Sequence, residues 1–499
     1  MQLSIPNSSK KNVLAFAASV LILGVVIAGC TSPITSTNNS SNTIPNTNTS
    51  ISPVGITDAP NNQVLATSLT LTSIILTDNM GKVTTNLLAA GPITFEAAHL
   101  DAVQEPFFSP AVPEDTYVSV ALTYSNAQVA YIDSTTHTVD LVTATLANTS
   151  QTVTFASPIV ISNATTSLLV DYLVAQSVAI SGSTVTVTPE FDVTAIAIPN
   201  TPTNGTNGLQ THKGVVTAIS ASNDSFTITN PSGIAMIIYV NANTLFQLTS
   251  PLTNTMCQGV GCLSALQVNA LVEVDTITQN GSTALSKGTL LATRVEVDDS
   301  GVTQKKLLLG PVTSVTGTPA TSFNMVLRQM VGGTSAAALE TVDVTVNGST
   351  NFILPPRFGA LSAAPVAVLP FTPTFNASTI FAGQHVGVIT TNFASGAATA
   401  NSVLLEPQTV SGTINSCVAS AIAGAFAVCN ITMPADHWLA KLTGQTTVLV
   451  YFNNLVIPIN TVSPAVGNTM RFNGYLFNVG GTLRLVAVVQ AGPPGAPFI

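Results

Sequence analysis

Beyond residue 50, apolar and polar residues alternate in short runs. "SLTLTSIIL" (68–76), "TYVSVALTY" (116–124), "STVTVTPEFDV" (183–193) and "SFTITN" (225–230) each put apolar side chains at every second position. That period places one face of a strand in a core and the other toward solvent. Gly, Pro, Asn and Ser interrupt the runs at short intervals, as turns between strands require. No long stretch shows the three-to-four spacing of an amphipathic helix. The pattern predicts an all-β protein built of sandwiches or small barrels.

The alternation also repeats on a larger scale. "GVVTAISASNDSFTI" from Gly214 is echoed by "GPVTSVTGTPATSFNMVL" from Gly310. Each copy continues to a Thr-x-Phe, ending at Phe246 and Phe352, then to "ALVEVDTI" (270–277) or "QHVGVITT" (384–391). Each closes on a last strand, "LLATRVEV" or "ATANSVLLE". A diverged third copy starts "VSGTINS" at Val410 and closes with "GTLRLVAVV" (481–489). A period near 100 residues is too long for a solenoid and suits tandem small β domains. The Pro/Asn/Gly-rich stretch "IPNTPTNGTNGLQ" (198–210) reads as a linker before the first copy. The expected order is an acidic β-sandwich over 51–200, a linker over 201–211, barrel-like repeats over 212–300, 304–408 and 409–490, and a Pro/Gly tail over 491–499.

Composition sharpens this. Only 7% of residues are charged, against about a quarter in ordinary domains. Hydrophobic content is 46%, enough to build cores, so the solvent faces are predicted to be Ser, Thr, Asn and Gln. The net charge of −9 is unevenly spread. Residues 31–200 hold 12 acids and one base, Lys82, whereas residues 201–499 hold 10 of each. With no basic patch in sight, nucleic acid is not expected as a partner.

The N-terminus has its own logic. Lys10 and Lys11 precede an apolar run, Val13 to Gly29, that is short for a membrane span. It ends Ile27-Ala28-Gly29-Cys30, which resembles the lipobox of bacterial lipoproteins. The resemblance implies a signal peptide over 1–29, cleavage before Cys30, and lipid on that cysteine, with several acyl chains giving stable anchoring. Residues 30–50, rich in Ser, Thr and Asn, read as a tether. Thr31, in place of Asp, points by analogy with lipoprotein sorting to the outer membrane.

Two further resemblances rest on quoted motifs. Gly214, Ser225-Phe226-Thr227-Ile228, Thr244-Leu245-Phe246, Val272-Glu273-Val274 and Ala292 to Val297 make residues 212–298 resemble domain-of-unknown-function family 5666 of bacterial exported proteins. That implies a small OB-like barrel without assigned activity. "VGITDAP" (54–60), "DTYVSVAL" (115–122), "LLVDY" (168–172) and "TVTPEFDV" (186–193) make residues 54–197 resemble domain-of-unknown-function family 4382, with Asp115 where Gly is the family's residue. That implies a β-sandwich on a surface lipoprotein.

Four cysteines remain. Cys417 and Cys429 bracket eleven residues that turn near Gly424, so two short strands would set them opposite one another. Cys257 and Cys262 could close a tight loop through Gly259 and Gly261. Disulfides are expected at both pairs, as export allows; metal ligation would need partners these separate repeats do not offer nearby.

Candidate chemistry is sparse. His99, His137, His212, His385 and His437 contain no close pair of metal-ligand spacing, and no nucleophile elbow or phosphate loop occurs. Asp436-His437 is poor triad material, because adjacent strand residues point to opposite faces. Asp58, Glu114, Asp115 and Asp171 are candidate oxygen ligands for Ca²⁺, with turn capping as the alternative role. Tyr117 and Tyr124 are candidate stacking surfaces for a sugar ring, with core packing as the alternative. No cofactor or resident metal is expected. The reading is a non-catalytic, lipid-anchored envelope protein whose partners are the membrane, through its lipid, and an envelope or extracellular protein or polysaccharide. A carbohydrate-binding module is the second reading and a hydrolase the last.

Overall fold

The computed structural model describes residues 43–44, 48–58, 61–133, 135–163, 165–198, 209–250, 253–279, 288–333, 338–355, 369–418, 426–452, 457–458 and 464–491. The leader, Cys30, Thr31, most of the tether, residues 201–208 of the linker and residues 492–499 of the tail lie outside them. Residues 42–499 form one compact unit.

The first sheets pack as a sandwich. One has the order Ser150–Ile161, Asp115–Ile132, Val64–Asp78, Ile93–Glu96, with Val139–Thr143 joined to Asp115–Ile132. The other runs Phe191–Ala197, Thr166–Tyr172, Val54–Asp58, Glu105–Phe108, with its two central strands parallel. Their facing side chains share one core, in which Phe95 meets Phe107 and Tyr172 edge to face. Such pairs add about 0.5–1.5 kcal/mol beyond the area they bury.

Three barrels follow, all with one topology. In the first, Leu209–Ser220 pairs with Ser225–Thr229 and with Leu271–Gln279. Ala235–Tyr239 pairs with Ser225–Thr229, and Thr289–Asp299 pairs with Leu271–Gln279. A parallel pairing of Ala235–Tyr239 with Thr289–Asp299 closes the ring. The circuit of strands is therefore 1-2-3-5-4 and back to 1, the OB-like barrel expected from sequence. The second barrel repeats it with Lys306–Thr316, Ser322–Leu327, Glu340–Thr345, His385–Thr390 and a fifth strand in two pieces, Ala397–Thr399 and Ser402–Leu405. The third uses Gln408–Val418, Ala427–Thr432, Thr447–Phe452, Thr469–Val479 and Thr482–Ala491. The expected linker is shorter than its composition suggested, since the first barrel strand begins at Leu209.

The recurring glycine has a physical cause. Gly214, Gly310 and Gly412 occupy the same place in the first strand of each barrel. A Cβ there would lie 3.0 Å from Thr229 O, 1.8 Å from Val326 O and 2.7 Å from Thr432 O, respectively. The second strand thus crosses too close for a side chain at Gly310 and Gly412 and leaves only a tight fit at Gly214. Two residues on, Val216, Val312 and Ile414 fill the barrel cores, and each is followed by a shift in register. A bulge at that point bends the long first strand so that it can serve two neighbours. The Thr of Thr-x-Phe is equally specific. Thr244 Oγ1 donates to Ala292 O at 2.7 Å and accepts from Asn241 N, and Thr350 repeats this with Ala400 O at 2.9 Å and Asn347 N.

The modules share cores. Leu65, Ala66, Ala130 and Ile132 of the sandwich pack in one cluster with Val326 of the second barrel and Val410, Ile431, Leu439 and Phe472 of the third. Val215 and Leu271 of the first barrel pack with Leu307, Leu309, Ile389 and Leu404 of the second. Both expected disulfides are present. Cys417 and Cys429 face each other across antiparallel strands, and Cys257 and Cys262 close a short loop.

Candidate functional site

Where the sandwich meets the second and third barrels, the apolar contact gives way to a polar seam. Its sandwich side comes from the end of Val54–Asp58 and from the turn Ala98–Leu100. Glu96 anchors that turn: its carboxylate accepts from the backbone N–H groups of Thr67 and Ala98 at 2.9 Å and of His99 at 3.0 Å. His99 lies between two carboxylates, with Nδ1 2.9 Å from Glu96 and Nε2 3.1 Å from Glu105. Burial opposes its charge, but Glu105 and Glu96 outweigh that and raise its pKa to about 9. Gln329 Nε2 also lies 2.9 Å from His99 Nε2, so an imidazolium donating from both nitrogens fits this geometry with the Gln329 amide turned to present its oxygen.

Two arginines cross the seam. Arg471, on the fourth strand of the third barrel, is 1% exposed and donates to Asp101 Oδ1 at 3.1 Å. Arg328, between two strands of the second barrel, donates through Nε to Leu65 O at 2.8 Å and through Nη2 to the same carbonyl. Its guanidinium lies over the Trp438 ring, 5.8 Å from the centroid. Asp101 is raised by burial, a rise that Arg471 and Arg328 offset only in part. Asp58 is raised well above an aspartate's ordinary value, first by burial and then by Asp101 and Asp171. Its Oδ2 has no hydrogen-bond partner among the described residues.

The remaining groups are committed to structure. Thr409 Oγ1 donates to Asp101 O at 2.6 Å, and Ser411 Oγ donates to Asn62 Oδ1 at 3.0 Å. His437 Nδ1 accepts from Leu439 N at 3.1 Å, capping the helix Trp438–Thr443. His385 Nδ1 donates to Pro407 O at 3.1 Å. Burial drives His437 down to about 4 and His385 well below its ordinary value, so both are neutral. The seam holds a partly open cavity of about 40 Å³ lined by Asp58, His99, Arg328, His385, Ser411 and His437, among others. That is room for two or three waters.

These partners settle the chemistry the residues can do. Ser411 gives its proton to an amide oxygen rather than to a histidine. His437 spends Nδ1 on a helix cap, and Asp436 accepts from Gln63 Nε2 at 2.8 Å on the surface. No nucleophile, base and orienting acid are aligned here.

The four candidate ion ligands do not form a set. Asp58 and Asp171 come from neighbouring parallel strands and feel each other's charge. Glu114 instead accepts from Asn163 N at 2.6 Å, and Asp115 from Thr116 N at 2.7 Å, the turn-holding alternative. Among the described residues no group of three or more acidic, His or Cys side chains could hold a metal ion. The stacking assignment is corrected. Tyr117 and Tyr124 are 0% and 1% exposed, with hydroxyls donating to Pro113 O at 2.6 Å and Asn148 Oδ1 at 2.7 Å. Both rings lie in the sandwich core, Tyr117 brought into it by a register shift between it and Ser119, and they offer a ligand no face.

Sequence reasoning missed Arg328, Arg471, His99 and Glu96. A usable signal was the scarcity of bases: a chain this poor in Lys and Arg leaves few to spare for solvation.

No protein-family model matches the chain, and no curated protein matches it. Among solved structures it is similar to the single-stranded DNA-binding protein from Thermus aquaticus, at 11% identity and a TM-score of 0.15, over 39% of this chain and 94% of that one. This match stands against the exclusion of nucleic acid drawn from charge, and that exclusion is withdrawn. A shortage of bases is not sufficient ground for it, since stacking alone contributes about 1–3 kcal/mol per base in single-strand binding. At that TM-score the likeness carries no argument for a nucleic-acid partner either.

Proposed function

We propose that this chain is a non-catalytic cell-envelope protein, held to a membrane by lipid on Cys30, whose β modules form one stiff body offered to an envelope or extracellular partner. The motifs of residues 54–197 and 212–298 resemble domain-of-unknown-function families 4382 and 5666, respectively, and the lipobox-like Ile27-Ala28-Gly29-Cys30 supplies the address. The observation that carries the reading is the use made of the polar residues. Arg328, Arg471 and Ser411 are spent on holding modules together, and His437 on capping a helix of its own module, around a cavity of water size. A fastener supports a spacer or platform better than it supports an enzyme, whose site needs room for a substrate and a group free to react.

Metabolic labelling with a fatty acid tests the address. The wild-type chain is expected to take up label and to fractionate with membranes, and Cys30→Ala to lose both. Unchanged labelling and fractionation of Cys30→Ala would defeat the reading.

A further inference from the structure

A second buried polar cluster lies at the margin of the apolar contact between the first and second barrels. Lys213 stands two residues before Val215, and Glu406 two residues after Leu404, so both share a face with that contact. Lys213 Nζ lies 2.8 Å from Glu273, 3.1 Å from Glu406 and 3.6 Å from Asp298. Arg294 reaches Glu273 at 2.5 Å, Asp275 at 2.8 Å, and Glu296. Only Glu406 comes from the second barrel, held by its own N–H donating to His385 O at 3.0 Å. The other six charges belong to the first. Five carboxylates thus surround two cations, an excess of three negative charges if all ionise.

We propose that this joint is a proton-operated latch, closed while the carboxylates around Lys213 share protons and loosened as they ionise. Burying unbalanced charge is costly, and a carboxyl that cannot find a cation takes a proton instead. Among the described residues Asp298 Oδ2 and Glu406 Oε1 have no hydrogen-bond partner. Glu296, Asp298 and Glu406 are each raised to about 7, by burial first and by neighbouring acids next, against the pull of Arg294 and Lys213. The other groups facing the cluster do not compensate. His212 and His385 are held neutral by burial, and Asp299 is already paired with Lys305 at 2.6 Å. Glu105, from the sandwich, adds a further negative field at His212.

The sign follows from linkage. Between the ordinary carboxylate range and about 7 the closed joint holds protons that the opened one releases, so closure is favoured at lower pH and weakens as pH rises toward 7. Glu406 is the one acid on the far side, so its ionisation acts directly on the contact between barrels.

Hydrogen exchange by mass spectrometry on the full chain, corrected for intrinsic rates, reads the latch segment by segment. From about pH 6 to about pH 8 the protection of 209–220, 289–299 and 402–406 is expected to fall at least tenfold more than that of the third barrel. Glu406→Gln is expected to hold its protection at the upper pH and to flatten the profile, and Asp298→Asn to do the same if Glu406→Gln does not fold. A wild-type profile no steeper in the joint than in the third barrel would overturn the proposal, and so would a substituted chain that keeps the wild-type slope.

Discussion

Replacing Arg471 by Met tests the seam at its most buried charge. The guanidinium is 1% exposed and sits 3.1 Å from the Asp101 carboxylate. At that distance, with an effective dielectric constant of about 20, the attraction is about 5 kcal/mol. Desolvation offsets part of it in the intact protein, but the substitution leaves Asp101 buried with its direct partner gone. Removing one member of a buried pair costs about 3–5 kcal/mol in proteins. Met keeps the length of the side chain, so little of that loss would come from a cavity. Trp438 is the chain's single tryptophan and packs against Arg328 in the same seam, so its fluorescence during urea unfolding reports on this region. The substitution is expected to lower stability by about 3–5 kcal/mol, and Asp101→Asn in the same chain to restore about half, because the stranded charge is then gone. A loss below about 1 kcal/mol, or no recovery in the double variant, would refute the reasoning.

Other expectations are equally specific. Gly310→Ala puts a methyl 1.8 Å from Val326 O and should cost about 3 kcal/mol, whereas Gly348→Ala, with nothing within 4 Å, should be near neutral in the same melts. Opening Cys417–Cys429, which closes a separation of 12 residues, should cost about 3 kcal/mol against about 2 kcal/mol for the separation of 5 at Cys257–Cys262, checked by Cys→Ala pairs in urea titrations. His99 is raised from 6.5 to about 9, so its contribution is complete below about pH 6.5 and is lost as pH climbs through 9. A stability profile across that range should fall in the wild type and flatten in His99→Gln.

The fold was legible where local rules act alone. Alternation in "SLTLTSIIL" and "TYVSVALTY" gave strands, because a period of two has one structural solution. The repeated glycine at 214 and 310 marked the place where two strands cross, and Cys417 and Cys429 fell on opposed strands as their spacing implied. What alternation cannot tell is which inward face meets which. Tyr124 shows this: its phase, shared with Val120 and Leu122, marks one side, but only the packed second sheet decides that the side is a core. Tyr117, seven residues away and so out of phase, reaches the same core only through a register shift between it and Ser119. The seam was invisible for a related reason. Arg471 and Asp101 lie 370 residues apart and Arg328 and Leu65 lie 263 apart, so no local spacing links them. The latch was half legible. Glu273-x-Asp275 and Arg294-x-Glu296-x-Asp298 put five charges on one face by their period of two, which announces a charged patch. That it is buried, and that Glu406 closes it, depends on the second barrel.

The central claim is that sandwich and barrels are clamped into one mechanical unit. Urea unfolding of the full chain at about pH 6, followed at once by Trp438 fluorescence and far-ultraviolet circular dichroism, tests it most directly. Trp438 reports the seam, and the dichroism reports all the strands. The account predicts one transition, with both signals superimposed. Dichroism that falls in separate steps while the Trp438 signal stays native would show independent modules and contradict it.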